Sequence, residues 1–188
     1  MSVLTSQPAT RTYTPEALLG LPDAVSYELV DGRLVERNVS VESSRIAACI
    51  LYLLKIETSR TNEAIVYGPD LGYQCFPNEL DRIRKPDVSA VRTRRMEGMR
   101  DDPGYMPIPA DLAVEVISPN DLAYEVAAKV EEYLAAGFGV VWVVHPQLRT
   151  VTIYKARGIA AVLHEDDEIT AEPALAGFRC RVGDFFKS

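Results

Sequence analysis

The stretch DLAVEVISPNDLAYEVAAKVEEYLAAG, residues 111–137, decides the fold class. Leu112, Ala113, Val114, Val116 and Ile117 make a short apolar run between Asp111 and Pro119, which predicts a strand buried on both faces. From about Leu122 to Ala136 the spacing turns helical, with Val126, Val130 and Tyr133 on the buried face and Gly137 as the stop. Glu115 breaks the strand pattern. An ionised carboxylate in such a place is costly unless something cationic meets it. Lys129 lies three residues after Val126 and four before Tyr133, at the edge of the inward face. A helix returning over a sheet can bring such a lysine to carboxylates on neighbouring strands.

Working outward, Thr14-Pro15-Glu16 predicts a helix start, with a capping hydroxyl, proline in the first turn and an acid beside it. SYELVDGRLVERN (26–38) predicts a hairpin turning at Asp31-Gly32. Apolar residues from Val41 to about Ser59 recur at helical spacing. Strands are expected at AIVYG (64–68), LGYQCF (71–76) and IRKPDVSAV (83–91), followed by a polar connection over 92–100 with one helical turn. VVWVV (140–144) and TVTIY (150–154) are further strands, and residues 161–186 predict two short strands and a terminal helical turn. The whole is one α/β domain spanning 1–188, a mixed sheet with a helix on each side and an N-terminal arm over 1–25 that holds the short helix.

Composition narrows the chemistry. The chain has 188 residues and a net charge of −7, which argues against broad binding to nucleic acid through phosphate neutralisation. The exception is local: Arg82, Arg84, Lys85, Arg92, Arg94, Arg95 and Arg100 face only Asp87 and Glu97, a pattern fit for a phosphate-facing edge or for a solvated loop. Three scattered cysteines suit reduced thiols in a cytoplasm. The first sixteen residues lack the basic start and apolar core of a secretory signal, and GFGVVWVV (137–144) is too short to span a membrane. Two histidines and no C-x-x-C give too few ligands for zinc, and neither a nucleophile elbow nor a phosphate loop is present. Any catalysis must rest on carboxylates and lysine. Asp87, at the head of an apolar strand, and Glu115 would make a natural Mg²⁺ site, since that ion takes one or two carboxylates and fills its shell with water and substrate phosphate. With Lys129 beside them, these parts support metal-assisted hydrolysis of a phosphodiester.

YELVDGRLVE (27–36), PDVSAV (86–91), LAVEVISP (112–119), KVEEYLAAG (129–137), VVWVVHP (140–146) and TVTIY (150–154) occur in an order that resembles the bacterial Uma-two family of restriction endonucleases, within the PD-(D/E)XK nuclease superfamily. DDEITAEPALAGFRCRVGDFF (166–186) is a weaker echo. The resemblance implies a restriction-endonuclease-like core, DNA as partner, cleavage dependent on Mg²⁺ or Mn²⁺, and metal ligands Asp87 and Glu115. It implies that the lysine has moved from the position of Ile117 to Lys129 on the next helix. It also implies an accessory role for Glu28, and a homodimer as the assembly that would cut two strands. His145 stands where the family commonly has aspartate, and SVESS (40–44) lacks a histidine that many members carry there.

Each residue has a plainer alternative. Asp87 could cap a turn, Lys129 could pair on the surface with Glu125 four residues earlier, and Glu28 could pair with Arg33 or Arg37 across the hairpin. His145 suits a turn, while Trp142 and Tyr133 suit the core. Function therefore divides between a Mg²⁺-dependent DNA endonuclease and an inactive nuclease fold that serves as a nucleic-acid-binding or protein-interaction module.

Overall fold

The structure is a computed structural model and describes residues 12–99, 103–156 and 158–187. Helix α1 (Pro15–Leu19) starts as expected, with Thr14 Oγ1 accepting from the Ala17 amide at 3.2 Å. Strands β1 (Tyr27–Val30) and β2 (Arg33–Glu36) form the hairpin, and Asp31 and Gly32 both take the positive φ values its tight turn requires. Helix α2 (Val41–Thr61) begins in a reciprocal cap in which Ser40 and Ser43 side chains each accept from the other's amide at 3.0 Å. Strands β3 (Ala64–Tyr67) and β4 (Val88–Arg92), the single turn α3 (Thr93–Met96), β5 (Leu112–Val116), α4 (Ala123–Ala135) and β6 (Val140–His145) follow. The chain ends through β7 (Thr150–Lys155), β8 (Gly158–Leu163), β9 (Glu168–Thr170), β10 (Arg179–Arg181) and a 3₁₀ turn over Val182–Phe186.

Six strands form one mixed sheet in the order β3-β4-β5-β6-β7-β8. Only β5 and β6 pair in parallel, because α4 carries the chain back across the sheet between them. Ile46, Ile50 and Leu54 of α2 pack on one face, over Val88, Leu112, Val114, Trp142 and the C-terminal Phe185. Val130 and Tyr133 of α4 pack on the other, over Val91, Ala113, Val141 and Val143. Both faces of β5 are thus covered, as its apolar run predicts. A third cluster of Leu18, Leu29 and Ile83 seats the β1–β2 hairpin against the α4 side.

Three expectations need correction. LGYQCF is not a strand. Tyr73 and Phe76 are buried beneath α4, but the backbone bonds to scattered partners: Tyr73 N–H to Arg84 O at 2.8 Å and Gln74 N–H to Met106 O at 2.9 Å. Its alternating apolar pattern comes from packing, not from a ladder. The strand expected over 83–91 begins only at Val88, because Pro86 offers no amide to a ladder. The tail holds three strands rather than two: β8 extends the main sheet antiparallel to β7, while β9 and β10 pair with each other. The expected N-terminal arm lies outside the described residues over 1–11, as does Arg100. Among the described residues no helix is long and apolar enough to cross a membrane.

Candidate active site

Strand alternation sets the site. Glu115 shares its face with Ala113, the face covered by α4. β4 and β5 pair antiparallel with Val88 opposite Val114, and one further step of that register sets Asp87 across from Glu115. Asp87 is held there by the Val116 amide, which donates to Oδ2 at 2.8 Å, and by Arg37 Nη2, 2.8 Å from Oδ1. Arg37 follows the hairpin, so the hairpin closes over the end of β4.

Lys129 comes down from α4 onto the same spot. Its Nζ donates to Glu115 Oε2 at 3.0 Å and lies 2.9 Å from Glu28 Oε1. Tyr133, one turn further along, donates its hydroxyl to Glu115 Oε1 at 2.8 Å. Lys129 is thereby the answer to the mid-strand carboxylate, together with a tyrosine that sequence reasoning assigned to packing alone. Lys129 does not pair with Glu125, whose carboxylate accepts from Tyr124 instead. Glu28 pairs with neither Arg33 nor Arg37. It takes the Lys85 amide at 2.7 Å and Arg84 Nη1 at 2.8 Å, and Arg84 in turn grips Glu132 with two bonds of 2.7 and 2.8 Å.

These groups border a cleft of about 310 Å³ between the hairpin and α4. Glu28, Glu36, Asp87, Glu115, Asp121 and Glu125 line it against Arg37, Arg84 and Lys129, an excess of negative charge. The family model described as "Putative restriction endonuclease", Uma2, matches residues 15–183 and so takes in every one of these side chains. The chain belongs to the Uma2 family. Among solved structures it is similar to a "putative nuclease belonging to DUF820" from Anabaena variabilis. The two superpose with a TM-score of 0.77 at 19% identity, over 92% of this chain and 97% of the other. That likeness establishes a shared α/β fold. None of the curated proteins matches the chain.

Electrostatics divides the carboxylates of this Uma2 protein into two kinds. Burial alone would raise Glu28, but Lys129, Arg84 and the Lys85 amide hold it down at about 2. Burial pushes Glu115 up to about 7, and the negative charges of Asp87 and Glu28 add to the rise while Lys129 and Tyr133 oppose it. Asp87 is also raised, by burial first and with a contribution from Glu28, against Lys129, the Val116 amide and Arg37. For Lys129, burial disfavours the charged form, yet Glu115 and Glu28 overcome it and keep the ammonium protonated. Two facing carboxylates that resist ionisation are what a site short of positive charge looks like. Each of their oxygens has a protein partner, but a carboxylate oxygen carries two lone pairs, so the donors present leave coordination open. Among the described residues no three His, Cys, Asp or Glu side chains gather as a ready-made metal shell. Two carboxylates fit Mg²⁺, which keeps water and takes phosphate oxygens for the rest, and fit poorly with ions that demand a full protein cage.

The basic stretch is not a phosphate-facing edge. Arg82 is buried against Asp31, Glu79 and Glu132, Arg84 and Lys85 are buried, and Arg92 and Arg95 both clamp Asp111 at 2.7–2.8 Å. Arg94 alone of the described set is exposed. Sequence reasoning named Arg37 only as a partner for Glu28 and Arg84 only within the basic stretch, and it missed Glu132 and the hydroxyl role of Tyr133. For Tyr133 a signal existed, since it stands four residues after Lys129 on one helix face.

Proposed function

We propose that the protein is a cytoplasmic, Mg²⁺- or Mn²⁺-dependent endonuclease that hydrolyses phosphodiester bonds of DNA. The observation that carries this reading is Lys129 held between Glu28 and Glu115 at the lip of a cleft, with Asp87 across from Glu115. Asp87 and Glu115 would hold the cation. When bound, the ion supplies charge neutralisation at the phosphate and an acidified water as nucleophile. Lys129 stays charged, so it acts as a donor and not as a base. Two of its three N–H groups go to Glu28 and Glu115, which leaves the third for a phosphate oxygen or the attacking water. Glu28, fixed and ionised, anchors the lysine. Three free cysteines are in keeping with a reducing compartment.

The test is cleavage of DNA by wild type and Glu115→Gln in Mg²⁺, in Mn²⁺ and in excess chelator. Cleavage by wild type that needs the cation and vanishes in a folded Glu115→Gln variant is expected. Full activity in the variant would sink the assignment. One observation favours a second reading, a non-cutting nuclease fold used as a binding module: Arg37 already neutralises Asp87. That reading predicts nucleic-acid affinity indifferent to the cation and no cleavage.

A further inference from the structure

A second cavity lies on the far side of Asp87. It measures about 270 Å³, shares Arg37, Asn38 and Asp87 with the catalytic cleft, and is walled by Val39, Ala47, Ala48, Leu51 and Pro69 at the start of α2. Two compartments therefore flank one proposed metal carboxylate. Each sits at or below the small end of ligand pockets, a scale for one nucleotide or base and not for a helix of DNA.

The charges at this site do not suit a duplex. A duplex hides its base faces and must be held through its phosphates by free lysine and arginine, whereas an unpaired strand can be held through its bases as well. Here Arg37 is paired with Asp87, Arg84 with Glu28 and Glu132, and Lys129 with Glu28 and Glu115. Beside its charged groups the mouth also offers apolar surface. Tyr124, 69% exposed, and Val35, 41% exposed, line the cleft, and Val39, 70% exposed, lines the slot beside α2. Aromatic and apolar platforms of this kind take base faces, which a duplex keeps hidden in its stack.

We propose that the substrate is an unpaired nucleic-acid strand, laid across Asp87 with one nucleotide in the cleft against Tyr124 and Val35 and the adjoining base in the slot beside α2. This rests on the phosphodiesterase reading and names the form of substrate that the same site accepts.

Fluorescence anisotropy tests it, with a labelled single-stranded oligonucleotide and its duplex, in Ca²⁺ to fill the cation site. The single strand is expected to bind about tenfold tighter or more. Tyr124→Ala removes the platform, and Ala48→Phe fills the slot from an exposed helix position; each should weaken single-strand binding about fivefold or more, with melting temperatures near wild type. Tyr124→Phe, which keeps the ring, should restore most of the affinity lost with alanine. Duplex bound as tightly as single strand, with cation-dependent cleavage intact, overturns this proposal and leaves the nuclease reading standing. A single-strand preference that survives both Tyr124→Ala and Ala48→Phe overturns the placement. Failure of every nucleic acid to bind removes both.

Discussion

Lys129 Nζ stands 2.9 Å from Glu28 Oε1, a carboxylate carried on a different sheet from the Glu115 that the same ammonium meets at 3.0 Å. One cation therefore ties the β1–β2 hairpin to the main sheet. Lys129→Met would leave two buried carboxylates facing each other without it. Removing one partner of a buried ion pair costs about 3–5 kcal/mol, so a loss of that order is expected in urea unfolding at pH 8. The loss should shrink at pH 5, where Glu115 takes up a proton. Cleavage should fall roughly 100-fold or more if the ammonium meets the reacting phosphate. Unchanged cleavage would show that the lysine only holds the fold together.

Arg84 supports that arrangement from behind. It neutralises Glu28, and Glu132 and the Lys85 amide complete the set. Arg84→Met should destabilise by about 3–5 kcal/mol, because Glu28 stays buried with Lys129 as its one remaining cation. Arg84→Lys should recover little, since a point charge cannot reproduce the two parallel bonds to Glu132. Wild-type stability in Arg84→Met would mean that Glu28 is held by Lys129 and backbone alone.

Much of this was legible in the sequence, and the rest was hidden for physical reasons. The apolar run at Leu112–Val116 and the helical spacing at Val126, Val130 and Tyr133 are local patterns, so the β5-α4 unit could be read directly. The pairing of Glu115 with Lys129 followed from face arguments on those two elements. Arg84 and Glu132 are 48 residues apart, and Arg37 and Asp87 are 50 apart. No local pattern encodes such pairings; they exist only once the hairpin docks. The basic stretch misled for the same reason, because charge along a chain does not reveal which arginines turn inward. LGYQCF misled because burial of alternate residues imitates a strand.

Protonation of Glu28 and of Glu115 should act on stability in opposite directions. Unfolded, each loses its proton near the ordinary 4.5. Folded Glu28 loses it near 2, so between those values the unfolded chain holds the extra proton and stability falls as pH is lowered. Folded Glu115 keeps its proton to about 7, so between 4.5 and 7 the folded chain holds the extra proton and stability falls as pH is raised. Their joint contribution is greatest near pH 4.5–5. Thermal melts of Glu115→Gln should lack the decline towards pH 7 and lie above wild type at pH 8. A wild-type profile that rises from pH 5 to pH 8 and matches that of Glu115→Gln would contradict the assignment.

Arg37 competes with any cation for Asp87. Its guanidinium occupies Oδ1 at 2.8 Å, so a divalent ion must share that oxygen or displace the arginine. Titration calorimetry of Mn²⁺ and Mg²⁺ should give saturable binding that Asp87→Ala abolishes. Arg37→Ala should bind the same ions about tenfold more tightly, since near a protein surface one unit charge at this range is worth a few kcal/mol and part of it is screened. The gain should diminish as salt rises. Weaker binding in Arg37→Ala would reverse the argument. It would mean that the arginine orients Asp87 towards the cation and does not rival it, which places Arg37 among the groups that build the site.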